Sequence, residues 1–259
     1  MKSITSRDNP VFKALRLLAK DSREQQRLQR TVIDGLHLVA DYCTRVGPPE
    51  LLVISESGES NADIQAQLAR GDEVEVLRLR DSLFAEISGV ATPVGLLATI
   101  PIPPAATTPI KESTVLLEGI QDAGNVGTIL RTAAAAGIRD IVFGRGCAGA
   151  WTPRVLRAAQ GAHFSLMFRE TDDLASLVRG YAGLSVATLA TGGESIYSLD
   201  LSGPVAWIFG NEGAGVSLEL AAAAQSRATI PMASGSESLN VAAAAAICLF
   251  ESVRQRTNI

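Results

Sequence analysis

The strongest constraint on the fold is an alternation in the second half of the chain, where short apolar runs are separated by segments of helical periodicity. The runs lie at 115–120 (VLLEGI), 140–144 (DIVFG), 164–168 (FSLMF), 184–190 (LSVATLA), 204–210 (PVAWIFG) and 227–232 (RATIPM). Helices are expected to begin near Asn125, Pro153, Asp172, Ser217 and Leu239. Strands that alternate with helices and are apolar almost throughout belong to a mostly parallel sheet with helices on both faces.

The first hundred residues carry a shorter version of the same pattern. TVID at 31–34, LLVIS at 51–55 and EVEVLRL at 73–79 read as strands, with helices at 35–45 and 61–68 between them. They predict a small α/β domain, too short for a full nucleotide-binding fold. Pro101, Pro103, Pro104 and Pro109 interrupt any ladder between the two regions and favour an extended spacer. The expected organisation is a domain at 1–100, a Pro-rich linker at 101–112 and a larger domain at 113–259. At 47% hydrophobic and 19% charged, the composition is that of a folded chain.

Charge is unevenly spread. The net charge of −4 weighs mildly against a polyanion partner, yet the first thirty residues hold eight basic side chains against Asp8, Asp21 and Glu24. Asn9-Pro10 opens a basic amphipathic helix that is expected to reach Arg30, and Arg7 just before it, with Lys13, Arg16 and Lys20 on it, are candidate contacts for a polyanion. The N-terminus lacks the apolar run of a signal peptide, and the longest apolar stretch falls short of the roughly 20 residues of a membrane span, so a cytoplasmic location is expected. Cys43, Cys147 and Cys248 form no C-x-x-C pair and read as ordinary buried thiols. His37 and His163 make no evident metal cluster and read as structural, so no metal is expected.

Three segments of the larger domain carry polar groups where packing alone does not require them. In QDAGNVGTILRTAAAAG (121–137), Asn125 is placed to cap a helix that ends at Gly137, and Arg131 is a cation near the positive end of an otherwise apolar helix. An anionic partner is the natural reason for that arginine. In PVAWIFGNEGAGVS (204–217), an apolar strand stops at Gly210, and Asn211 and Glu212 follow in a glycine-rich turn. In IPMASGSESLNVAAAAAICLFE (230–251), Ser236 or Ser238 could cap a helix, with Ser234 and Asn240 beside them.

Together, in this order and spacing, these segments resemble the motifs of the SpoU (TrmH-type) branch of the SPOUT RNA methyltransferases. ITSRDNPVFKALRLLAK, VIDGLHLVADY and ATPVGLLA resemble that family's N-terminal substrate-recognition domain, and RVLRAAQGAHF its mid-domain helix. Two departures are Ala123 after Asp122, where the family usually has proline, and Ala242 after Asn240-Val241, where serine is common.

The resemblance implies S-adenosylmethionine-dependent methylation of a ribose 2′-hydroxyl in structured RNA, ribosomal RNA before transfer RNA, by a homodimer whose catalytic domain contains a deep trefoil knot. It implies cofactor contacts at Thr188, Leu189, Ala190, Thr191, Gly192, Ile208, Gly210, Asn211, Ile230, Met232, Ser238 and Leu239. It makes Arg131 the catalytic arginine, with Asn125, Glu212, Ser238 and Asn240 around it. Two other readings compete. Gly144, Gly146 and Gly149 spell G-x-G-x-x-G, the fingerprint of a dinucleotide-binding oxidoreductase, although Pro153 delays the next helix. The other is an RNA-binding protein without turnover.

Overall fold

A computed structural model describes residues 1–70 and 74–257, in two units. The first is Met1–Pro104 together with Gly149–Phe164, and the second is Ala105–Ala148 together with the chain from Ser165 onward. Residues 149–164, which interrupt the larger domain in sequence, thus belong spatially to the smaller unit.

In chain order the smaller unit holds β1 (Lys2–Ile4), α1 (Pro10–Lys20), α2 (Ser22–Leu28), β2 (Arg30–Asp34), α3 (Leu36–Arg45), β3 (Leu51–Ser55), α4 (Ala62–Leu68), β4 (Glu75–Leu79), α5 (Asp81–Ile87) and β5 (Leu96–Pro101). The expected strand at 73–79 begins at Glu75, and Glu73 lies outside the described residues. Its five strands run in the order β1-β4-β3-β5-β2. Side chains alternate between two layers: Val32, Val53 and Leu97 pack with Phe12, Leu15 and Leu18 of α1, while Ile33, Leu52 and Leu96 pack with Val39 and Tyr42 of α3.

The single basic helix expected up to Arg30 is two helices. Asp21, with extended backbone, ends α1 and caps α2 by accepting the Arg23 N–H at 2.8 Å, so a local side-chain bond replaces helix continuation. β1, β5 and α5 had not been anticipated: β1 has only three residues, and β5, six residues long, runs to Pro101, the residue expected to begin the linker.

The remaining elements, in chain order, are β6 (Thr114–Leu117), α6 (Ala123–Ala135), β7 (Asp140–Phe143), α7 (Pro153–Ala159), β8 (Met167–Glu170), α8 (Leu174–Gly180), β9 (Leu184–Thr188), β10 (Glu194–Ser195), β11 (Val205–Phe209), α9 (Leu218–Ala223), β12 (Ser226–Thr229) and α10 (Val241–Thr257). Of these, α7 lies in the smaller unit, where Leu156 is buried in the α3 layer and Trp151 O accepts from Thr31 Oγ1 at 2.7 Å. The strand expected at 164–168 starts only at Met167, because Ala162–Ser165 form a 3-10 turn. The strand expected at 227–232 ends at Thr229, just before Pro231 removes a ladder donor.

The larger unit is a seven-stranded, wholly parallel sheet in the order β10-β12-β9-β11-β6-β7-β8. Ala206 and Ile208 of β11 face α8 and α9. Trp207, fully buried, faces the opposite way and donates from Nε1 to Ser252 Oγ of α10 at 3.1 Å. No strand or helix forms between 102 and 113. The middle of that stretch is fastened to the outer strand by Arg169, which is paired with Asp140 at 2.7 Å and donates to Ala106 O at 2.7 Å. Cys248 is buried and Cys43 and Cys147 are half-buried, all three as free thiols. Among the described residues no helix is long and apolar enough to cross a membrane.

His163, in the smaller unit, is buried, with Nε2 at 2.7 Å from Ala150 O, and burial pushes its pKa down to about 4. The unfolded chain binds a proton near pH 6.5 that the folded chain refuses, so stability is complete above 6.5 and is lost as the pH falls toward 4. Urea unfolding should show about 2–3 kcal/mol less stability at pH 4.5 than at pH 7 from this group. His163→Gln should flatten that part of the profile, and an unchanged slope in the variant would remove His163 as its source.

Candidate functional site

A doubly wound sheet opens a crevice where neighbouring strands send their following helices in opposite directions, and here that point lies between β6 and β11. Their pairing extends one residue past the strands, with Glu118 N donating to Phe209 O at 2.9 Å. The chains then separate. Gly119 turns at φ +67°, a conformation that a side chain disfavours, and leads into α6. Gly210 leads into a loop so tight that a Cβ there would lie 2.2 Å from the backbone at Gly215 and Val216.

The helix α6 is capped by Asp122 and not by Asn125. Asp122 Oδ1 accepts the Asn125 N–H at 2.8 Å, which leaves Asn125 inside the first turn with its amide free to reach outward. Glu212 arrives from the other strand and accepts from Gln121 N at 3.3 Å, from Asp122 N at 3.1 Å and from Asn125 Nδ2 at 3.1 Å. A carboxylate at a helix N-terminus also meets the positive end of the dipole. Burial pushes the Glu212 carboxyl up, but the Asn125 amide and the backbone N–H groups outweigh it and hold the group below its ordinary value.

Hydrogen-bond direction then propagates. Glu212 only accepts when ionised, so Asn125 must present its NH2 to it and its oxygen to the other side. That oxygen accepts from Asn240 Nδ2 at 2.9 Å, and Asn240 Oδ1 in turn accepts from Ala242 N and Ala243 N at 2.9 and 3.2 Å. Asn240 therefore caps α10, which starts at Val241. The expected start near Leu239 and the expected caps Ser236 and Ser238 are corrected accordingly.

Beside this chain lies a cavity of about 480 Å³ bounded by the loops after β9, β11 and β12. Of the expected cofactor contacts, Thr188, Leu189, Ala190, Thr191, Gly210, Asn211, Ile230, Met232, Ser238 and Leu239 line it, as do Glu212 and Asn240. Gly192 and Ile208 do not. The Ile208 side chain is buried in the sheet core, and its carbonyl accepts from Thr188 Oγ1 at 2.8 Å. Sequence reading missed Ala244 and Cys248, although 240, 244 and 248 share one face of a helix. It also missed Asp122, because two good capping residues stand three apart. Glu212 is the one charged residue among the described lining, and no arginine or lysine is present to meet a pyrophosphate.

Arg131 is not in the lining. It is exposed on α6, and six residues beyond Asn125 its direction has turned about 240° around the helix axis. Its side chain has no ion-pair or hydrogen-bond partner among the described residues. In the smaller unit, Arg7 pairs with Glu86 at 2.6 Å, Arg16 with Glu86 at 3.6 Å and Lys13 with Asp8 at 3.0 Å. Such exposed pairs are weak and exchangeable. Lys20 has no such pair among the described residues.

The loop Gly144–Gly149 does not fit a dinucleotide. Gly144 N and Ala148 N donate to Leu117 O and Ile120 O at 2.8 Å each, and α7 begins only at Pro153. No helix N-terminus is presented within the glycine loop. Among the described residues no group of three or more His, Cys, Asp or Glu side chains could hold a metal ion.

Residues 112–250, more than half of the chain, match the model of the SpoU rRNA methylase family. The chain belongs to that family. Residues 9–98 match an MRM3-like substrate-binding domain. The chain is 28% identical over 252 residues to the 23S rRNA (guanosine-2′-O)-methyltransferase RlmP of Bacillus subtilis, covering 96% of this chain and 98% of that one. A solved RNA 2′-O-ribose methyltransferase superposes with a TM-score of 0.84 at 27% identity, covering 98% and 99% of the two chains. An AdoMet-bound rRNA methyltransferase from Sinorhizobium meliloti superposes with a TM-score of 0.83 at 29% identity, covering 98% and 97%.

Within the SpoU fold the Asn125 amide has a specific electrostatic task, which Asn125→Asp removes at constant size. The new carboxylate would face Glu212 where a donor stood. The variant should be about 1–3 kcal/mol less stable than wild type at pH 7. Repulsion raises the folded-state carboxyl pKa, so the deficit should shrink as the pH falls and the pair takes up a shared proton. Denaturant unfolding at pH 7 and pH 4 measures both, and a deficit that does not depend on pH would contradict the assigned contact.

Proposed function

We propose that this chain methylates a ribose 2′-hydroxyl in ribosomal RNA, with S-adenosylmethionine as donor. The observation that carries the reading is the convergence of three sequence-distant polar residues, Asn125, Glu212 and Asn240, in one directed hydrogen-bond chain on the rim of a small-molecule cavity. The cavity volume lies within the usual range for such ligands. Its lining fits the cofactor: Leu189, Ile230, Met232, Leu239 and Val241 offer apolar contact, and Glu212 supplies negative charge, which favours a sulfonium over a phosphate. When bound, S-adenosylmethionine supplies an activated methyl group for in-line transfer.

The protein contributes position and electrostatics. Glu212, Asn125 and Asn240 hold the rim in one geometry. Arg131 serves the nucleophile: its guanidinium, a donor with no acceptor of its own, stabilises the alkoxide that emerges as the hydroxyl gives its proton to solvent water. The exposed and unpartnered guanidinium faces away from Asn125, which supports a homodimer in which each cavity is completed by Arg131 of a second copy. The half-exposed Phe250 on α10, the helix that packs on α6, supports the same reading.

Methyl incorporation from labelled S-adenosylmethionine into ribosomal RNA, followed by mapping of 2′-O-methyl groups, tests the activity. Cofactor binding without incorporation into any RNA would leave only the inert RNA binder. Arg131→Ala should lower turnover by about 100-fold or more while leaving cofactor affinity within about 3-fold. Mixing Arg131→Ala with Glu212→Ala should restore about a quarter of wild-type activity if the arginine acts across the dimer, because half the dimers then carry one intact site. No restoration would place the arginine in its own subunit's site.

A further inference from the structure

Glu212 can hold its rim position only if the loop that carries it stays in register with the first turn of α6, and that loop has little packing of its own, since residues 212–215 are all exposed. The half-buried side chain of Asn211 is almost wholly engaged in holding it. Its Oδ1 accepts from Gly213 N at 2.9 Å and Ala214 N at 3.0 Å, and its carbonyl accepts from Gly215 N at 2.8 Å. Its Nδ2 crosses to the other strand and donates to Gly119 O at 2.7 Å. At the far end of the loop, Glu118 Oε2 accepts from Ser217 N at 2.7 Å. The 211–217 segment is therefore fastened at both ends to residues 118 and 119, immediately before the Gln121 and Asp122 amides that Glu212 bonds.

We propose that Asn211 is a positioning residue for Glu212: its amide clasps the loop after β11 to the Gly119 turn and so sets the distance between the Glu212 carboxylate and the N-terminus of α6. The inference rests on the methyltransferase reading for its kinetic consequence, though not for its structural one. It differs from the role that the family resemblance implies for Asn211, a cofactor contact, because the amide is engaged by protein groups on both its nitrogen and its oxygen. A clasp affects the rate at saturation, whereas a ligand to the cofactor affects its affinity. Glycine at 119 suits the clasp because the turn that presents its carbonyl to Asn211 has φ +67°, a conformation that a side chain disfavours.

Asn211→Asp separates the two halves of the side chain's work. It keeps an oxygen for Gly213 and Ala214 but loses the donor to Gly119 O, and Asn211→Ala, which adds no charge, controls for the new carboxylate. In both variants, judged folded by a thermal transition close to that of wild type, amide exchange at Gln121 and Asp122 should quicken by roughly 10-fold. Exchange at Glu118, bonded to Phe209 O, should not change. Methyl transfer at saturating cofactor and RNA should fall by about 10-fold or more, with the S-adenosylmethionine dissociation constant within about 3-fold of wild type. Unaltered exchange at Gln121 and Asp122 overturns the proposal, as does a full rate at saturation with affinity alone reduced. Exchange needs no substrate, so a wild-type chain that methylates no RNA would remove the functional reading while the exchange result still judges the clasp.

Discussion

The parallel pairing of β6 with β11 is the interaction on which the rest of the site depends. Neither strand is a neighbour of the other in sequence, and their register brings Leu117 opposite Phe209, so that residues 118–125 and 210–217 leave the sheet side by side. A shift of one residue would turn Trp207 away from Ser252 and toward α8 and α9, a change that a full apolar layer on each face forbids. The core thus fixes the register, and the register fixes which backbone amides at the entry to α6 are within reach of Glu212.

At the rim, charge is controlled by orientation more than by burial. Glu212 sits where a helix dipole, two backbone N–H groups and one amide all favour the ionised form, and its ionisation then dictates the orientation of Asn125 and, through it, of Asn240. Each amide in this series has one usable orientation. Nearby thiols stay neutral: burial pushes Cys248, on the cavity wall, up to about 12 and raises Cys147 as well. The cavity therefore keeps a single negative group among its described lining, a simple electrostatic setting for a cationic ligand.

Much of the fold is legible in the sequence. The apolar runs at 115–120 and 204–210 are continuous because both faces of a parallel strand are buried, and the helices at 36–45 and 62–68 begin at a glycine and at a capping asparagine. Capping was legible only in kind. Asp122 and Asn125 are comparable caps, as are Ser238 and Asn240, and local propensity does not choose between them. What chose was Glu212, which arrives 87 residues later and bonds Asn125, so that Asp122 is left to cap α6.

The residue pattern alone determined the parallel architecture and the three polar segments, because hydrophobic periodicity and side-chain chemistry are local properties. It could not determine that residues 149–164 complete the smaller unit, that Asn211 serves the protein's own backbone, or that Arg131 lies outside the lining of the cavity. Those outcomes depend on how strands far apart in the chain pair and on the angle at which a helix leaves the sheet, and only the packed core sets both.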